Sequence, residues 1–190
     1  MMKRILVTIV AIGSLTLLAA IAGLAVFTDQ ETFGANAFDT GTIDLSTAPT
    51  TALVTFSGMA PGDSVTNSLV VSNDGSLEFR YAISSSATNA DALALKDALV
   101  LTIKTIDLAP SPPCDDFDGT QLYTGDLDDT AGLLVGDATQ GADTGDRVLT
   151  ASNNETLCFR VELALAATGP QGATTTATFT FDAEQTQSNP

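Results

Sequence analysis

The side chains that could carry chemistry in this chain are two cysteines and many carboxylates, with no histidine at all. Cys114 and Cys158 are the only thiols. In an exported protein two such cysteines pair into one disulfide. Closing a loop of roughly 45 residues would constrain the unfolded chain by about 3–4 kcal/mol. Asp115, Asp116 and Asp118 precede Gly119 like the start of a calcium loop. The EF-hand spacing fails, because Cys114 falls on its first liganding position and Gly125 on its twelfth. These aspartates, with Asp126, Asp128, Asp129, Asp143 and Asp146, therefore read first as a solvated acidic loop and second as weak ligands for extracellular calcium.

No metal centre or other cofactor is expected. A zinc peptidase draws its ligands mainly from histidine, as in HExxH, and carboxylates alone hold zinc poorly against water. Without histidine there is no ordinary general base for a serine or cysteine nucleophile. Carboxylate pairs are so abundant that no single pair marks a hydrolase. The expectation is a non-enzymatic chain.

Such a chain needs a binding element, and the N-terminal region supplies a candidate. Lys3 and Arg4 form a short basic start, residues 5–22 are almost wholly apolar, and the small residues Ala22, Gly23 and Ala25 suit a signal peptidase. About 18 apolar residues fall just short of the ~20 that span a bilayer, so a retained anchor is the competing reading. Asp29 and Glu31 follow the apolar run in place of a Lys/Arg cluster, which favours cleavage. Contact with the membrane is then limited to the signal segment before cleavage, and the mature protein is secreted or held at the cell surface.

The next stretch, FTDQETF (27–33), can run extended with Phe27, Asp29, Glu31 and Phe33 on one side. A strand of this kind can add to an exposed sheet edge, gaining main-chain hydrogen bonds while alternate side chains fill pockets. The residues alone equally allow a disordered tail or pairing within the same domain.

Charge removes one class of partner. Loss of Lys3 and Arg4 with the leader leaves five basic and 23 acidic residues, a formal charge of −18. Such a surface repels phosphate, so nucleic acid is excluded.

The elements that must position these residues read as strands. Short runs rich in Thr, Val and Phe alternate apolar and polar residues at 52–57, 65–73, 77–84, 99–107, 121–124, 133–135, 156–166 and 173–186. Pro61–Gly62 predicts a type II turn and Asn73-Asp74-Gly75 a hairpin. Asn89–Ala98 predicts the one short helix, capped by Asn89. Residues 108–146, rich in Pro, Gly and Asp, predict a long acidic loop excursion. In the strand at 156–166, Leu157, Phe159, Val161, Leu163 and Leu165 face in and Cys158 faces out, so the disulfide would pin the excursion to the outer surface. Ala177, Phe179, Phe181 and Ala183 face in on the last strand. Arg80, Arg147 and Arg160 are expected in local ion pairs. The fold class is all-β, a jelly-roll-like β-sandwich with one short helix. The division is 1–25 signal peptide, 26–45 N-terminal arm and first strand, and 46–190 a single sandwich domain.

Three segments in this order carry a resemblance: FTDQETFGANAFDTGTIDLS (27–46) directly after the leader, MAPGDSVTNSLVVSNDGSLEFRYAIS (59–84), and LCFRVELALAATGPQGATTTATFTFDAEQT (157–186). The chain resembles the TasA/camelysin family of exported proteins processed by the SipW-type signal peptidase. The resemblance implies a jelly-roll subunit that polymerises into biofilm-matrix fibres, with the arm of one copy completing the sheet of the next. Its partner would then be itself, in a head-to-tail homopolymer. Phe27 and Phe33 would anchor the arm, and Phe159, Phe179 and Phe181 would belong to the receiving core. A separate branch of the family is described as a metallo-endopeptidase. A monomeric surface module, with contacts made by its acidic loop, is the alternative.

Overall fold

The computed structural model describes residues 40–51, 53, 57–106, 113–129, 132–167, 171–187 and 189. The expected leader and arm, and most of the expected strand at 52–57, lie outside the described residues. Nine strands follow in order: β1 (Leu45–Ala48), β2 (Ser64–Asn73), β3 (Phe79–Ala87), β4 (Leu99–Thr105), β5 (Gln121–Asp126), β6 (Leu133–Val135), β7 (Arg147–Leu149), β8 (Asn154–Leu163) and β9 (Ala177–Gln185). They form two antiparallel sheets. The first has the order β1-β2-β8-β4-β5. In the second, β9 pairs along all of β3 while β7 and β6 share the opposite edge of β3. The chain changes sheet between β2 and β3, β3 and β4, β5 and β6, β7 and β8, and β8 and β9. The result is the all-β, jelly-roll-like sandwich that strand alternation predicts.

The core lies between the sheets because period-two alternation aims one face of each strand inward. Leu69 and Val71, Leu101 and Ile103, and Leu157 and Phe159 meet Phe79, Tyr81 and Ile83, all buried. Each fully buried side chain of this kind contributes about 1.5–3 kcal/mol. At the start of β2, Pro61 and Gly62 make the expected turn: Asp63 N donates to Ala60 O at 2.9 Å, and Gly62 has φ +92°.

Several expectations fail for identifiable reasons. The Asn73-Asp74-Gly75 turn is no hairpin, since β2 and β3 lie in different sheets. Asn73 is buried there; its Nδ2 donates to Leu77 O and Leu149 O, and its Oδ1 accepts from Gly75 N, so the chain arches across the sandwich. Gly75 is required in that arch, because a Cβ would lie 2.4 Å from Thr42 O. The helix at 89–98 is reduced to a 3-10 turn at Leu95–Ala98. Ala92 and Ala94 take positive φ, while Asn89 Oδ1 and Asp91 Oδ1 accept from Ala94 N and Leu93 N. Those local bonds compete with helix. The excursion, by contrast, carries the strands expected at 121–124 and 133–135: they are β5 and β6, and the segment also buries Leu127, Leu134 and Val135 in the core. Finally, β8 ends at Leu163, leaving Leu165 79% exposed instead of inward.

Candidate functional site

The two sheets are joined along one side, where β5 runs into β6 and Ser85 Oγ donates to Leu127 O at 2.9 Å. On the other side β1 is the edge of the first sheet and β9 the edge of the second. Among the described residues β9 pairs only with β3, so its second edge is free to accept main-chain bonds. Between these edges lies a cavity of about 230 Å³ lined by Thr47, Leu53, Leu69, Phe159, Phe179 and Phe181, among others. No charged side chain lines it among the described residues. Asn67 Nδ2 donates to Leu53 O at 2.9 Å and ties the segment after β1 back to β2.

The aromatic floor of this seam is unevenly covered. Phe159, on the central strand β8, is fully buried. It meets Phe179 edge to face, with ring centroids 5.3 Å apart. Phe181 packs against Tyr81 at 6.2 Å. Phe179 and Phe181 point into the sandwich yet stay only half-buried. The three phenylalanines expected in one receiving core are thus brought together. Leu69 was legible as an inward residue, whereas Thr47 and Leu53 flank a Pro/Thr stretch that gives no packing signal.

A polar link sits deeper in the same interior. Tyr81 Oη donates to Glu155 Oε1 at 2.6 Å, and Arg147 donates to both Glu155 oxygens, joining β3 to β8 and β7. Burial, then the neighbouring Glu155 carboxylate, pushes the Tyr81 phenol far above its ordinary range. The hydrogen bond that Arg147 donates to Glu155 likewise raises Arg147. The ion pair expected at Arg147 is present, and Arg80 Nε lies 3.1 Å from Glu184 Oε1. Arg160 departs from that expectation. It stacks 3.8 Å over the Phe117 ring and donates to Thr66 Oγ1 at 2.9 Å.

Cys114 and Cys158 are bonded, with Cα atoms 5.5 Å apart. Cys158 lies on the outer face of β8, so the bridge holds the 113–118 loop against that face. Buried Phe117 packs beside the bridge, with Lys104 and Arg160 over its ring. Asp115, Asp116 and Asp118 project from this loop as exposed side chains. Among the described residues no group of three or more His, Cys, Asp and Glu side chains is placed to hold a metal ion. Phe27, Asp29, Glu31 and Phe33 lie outside the described residues.

A sequence model of the camelysin metallo-endopeptidase family matches residues 1–98, just over half of the chain. The chain belongs to the camelysin family. No curated protein matches it. The camelysin match takes in the N-terminal region and β1 to β3, with Thr47, Leu53 and Leu69 of the seam. Phe159, Phe179, Phe181 and the disulfide lie beyond it. The family's name implies a catalytic metal, but the side chains of this chain do not fit a zinc centre. It has no histidine, and both cysteines are consumed in the disulfide.

Proposed function

We propose that this chain is an exported, non-enzymatic structural subunit that assembles head to tail into extracellular fibres. The N-terminal arm of one copy adds as a strand to β9 of the next, and its side chains fill the seam. The observation that carries this reading is the set of half-buried phenylalanines, Phe179 and Phe181. They lie beside buried Phe159, around a 230 Å³ cavity between two sheet edges. An added strand would supply both things that edge lacks among the described residues: main-chain partners and apolar cover. Phe27 and Phe33 are the residues of the arm with the chemistry to fill it. Donation of this kind is heterologous and does not close, so it yields filaments and not a dimer. Secretion and self-association account for the leader, the arm and the seam together, and the protein meets the membrane only through its leader. Removing residues 26–34 should leave a folded monomer without filaments, visible by negative stain; long fibres from that variant would refute the reading.

The family's name favours a second reading, a peptidase. Casein hydrolysis by the purified chain, abolished by a chelator, would establish it against the donor-set argument.

A further inference from the structure

Asn189, in the segment after β9, is held by its carbonyl and by both ends of its side-chain amide on the outer face of the second sheet. Arg80 Nη2 donates to the carbonyl, Gln140 Nε2 donates to Oδ1 at 3.2 Å, and Nδ2 donates to Glu184 Oε2 at 2.7 Å. Asn189 is 8% exposed and Arg80 5%. Polar groups buried to this degree require such partners. The walls around Asn189 stand on contacts that leave it out. Arg80 and Glu184 face each other across the β3–β9 ladder, with Nε 3.1 Å from Oε1. Gly141 N donates to the same Oε1 at 2.9 Å and ties the 136–146 loop to β9. That loop is organised from within. Asp146 Oδ1 accepts from Asp137 N at 3.0 Å and its Oδ2 from Asp143 N at 2.9 Å, while Thr139 Oγ1 donates to Asp143 Oδ2 at 2.8 Å. Sheet and loop thus form a cleft already shaped for its occupant, and such preorganisation lowers the cost of binding.

The charges of the cleft select an amide. A cavity of about 40 Å³ adjoins it, lined by Asp137, Asp146 and Asp182 as well as by Arg80 and Glu184. Four carboxylates beside one guanidinium make a further negative charge costly. An aspartate at position 189 would set its carboxylate against Glu184 Oε2. The asparagine amide instead offers a donor there and an acceptor to Gln140, and because a carboxylate can only accept, its orientation is fixed. Only residues 186–188 link Asn189 to β9. Thr186 is itself anchored, its N donating to Glu78 O at 3.3 Å and its Oγ1 to Glu78 Oε1 at 2.7 Å. So short a link presents the amide to the cleft at an effective concentration on the order of millimolar.

We propose that Arg80, Gln140, Gly141 and Glu184 form a peptide site that recognises an asparaginyl residue, with Asn189 of the same chain as its resident occupant. The ligand class is an uncharged peptide segment that presents a main-chain carbonyl and a carboxamide together. The site is independent of the donated-strand reading. Its test is a nuclear magnetic resonance titration of the isotope-labelled full chain and of its Asn189→Ala variant with the peptide QTQSNP, the sequence of residues 185–190. In the variant the peptide should shift the Gly141 amide and the Gln140 side-chain signals. The parent should need at least about tenfold more peptide, since Asn189 competes from within. The same peptide with Asn189→Asp should shift neither signal. Gln140 is exposed, so Gln140→Ala added to the variant keeps the fold, and loss of its donor should weaken the peptide by about threefold or more. A variant that ignores the peptide, a parent that responds equally, an equal response to the aspartate peptide, or unweakened binding after Gln140→Ala would each overturn the site. Loss of the folded spectrum in the Asn189→Ala chain would overturn it too, because the cleft would then depend on its occupant.

Discussion

Replacing Cys114 and Cys158 together by alanine tests how the outer-face loop is held. The bridge closes a sequence separation of 44 residues. Chain entropy for a loop of that size is worth about 4 kcal/mol at 25 °C. For a body of this length each kcal/mol moves the melting temperature by about 2–4 °C, so the pair should lower it by about 8–16 °C. Both cysteines are buried, Cys114 at 3% and Cys158 at 2% exposure, so substitution opens the bridge more reliably than an external reductant. The assay is thermal unfolding followed by far-UV circular dichroism, on the double variant and on each single one. Because either single change opens the loop, Cys114→Ala should cost nearly as much as the pair. A shift below about 3 °C, or single variants that each cost half of the double, would refute the loop-closure argument.

Other outcomes follow from the core, the seam and the charge. Phe159→Ala should destabilise the fold by about 3–5 kcal/mol in urea unfolding. Half-buried Phe179→Ala should cost less stability yet weaken binding of a peptide with the sequence of residues 26–34; the reverse order would contradict the roles given to the two rings. Tyr81 holds its proton in the fold at pH values where an unfolded chain releases it, because burial and Glu155 raise its pKa. The stability it contributes is therefore complete below about pH 10 and is lost as pH rises above that value. Tyr81→Phe should flatten the fall of the urea midpoint between pH 9 and 11.5, and an equally steep fall would count against the buried phenol. Since no charge lines the seam among the described residues, neutralising the arm by Asp29→Asn and Glu31→Gln should tighten peptide binding, by removing about 1–3 kcal/mol of desolvation cost. Weaker binding would show that the other face of the arm enters.

Alternation made the sandwich legible. The runs at 65–73, 99–107 and 156–166 became β2, β4 and β8 within a few residues, because each buries one face of a central strand. The outward direction of Cys158 followed from the same alternation, and with it the position of the disulfide loop. Local signals failed where tertiary partners competed. Asn73 carries a hairpin sequence, but its side chain is spent on Leu77 and Leu149 carbonyls across the two sheets. Asn89 is a good helix cap by type, yet it bonds Ala94 N at the far side of a non-helical loop. Strand β7, three residues among Asp, Gly and Thr, has no pattern of its own and exists through pairing with Phe79–Tyr81. At the site, the phenylalanines were readable because they share the inward parity of β8 and β9. The link from Tyr81 through Glu155 to Arg147 was not, since it joins three strands far apart in sequence.

The central claim is tested most directly by a high-resolution map of assembled protein. The account predicts a strand from a neighbouring copy hydrogen-bonded along the outer edge of Ala177–Gln185, with its aromatic side chains beside Phe159 and Phe179. A map of isolated particles in which each chain covers that edge with its own residues would contradict it.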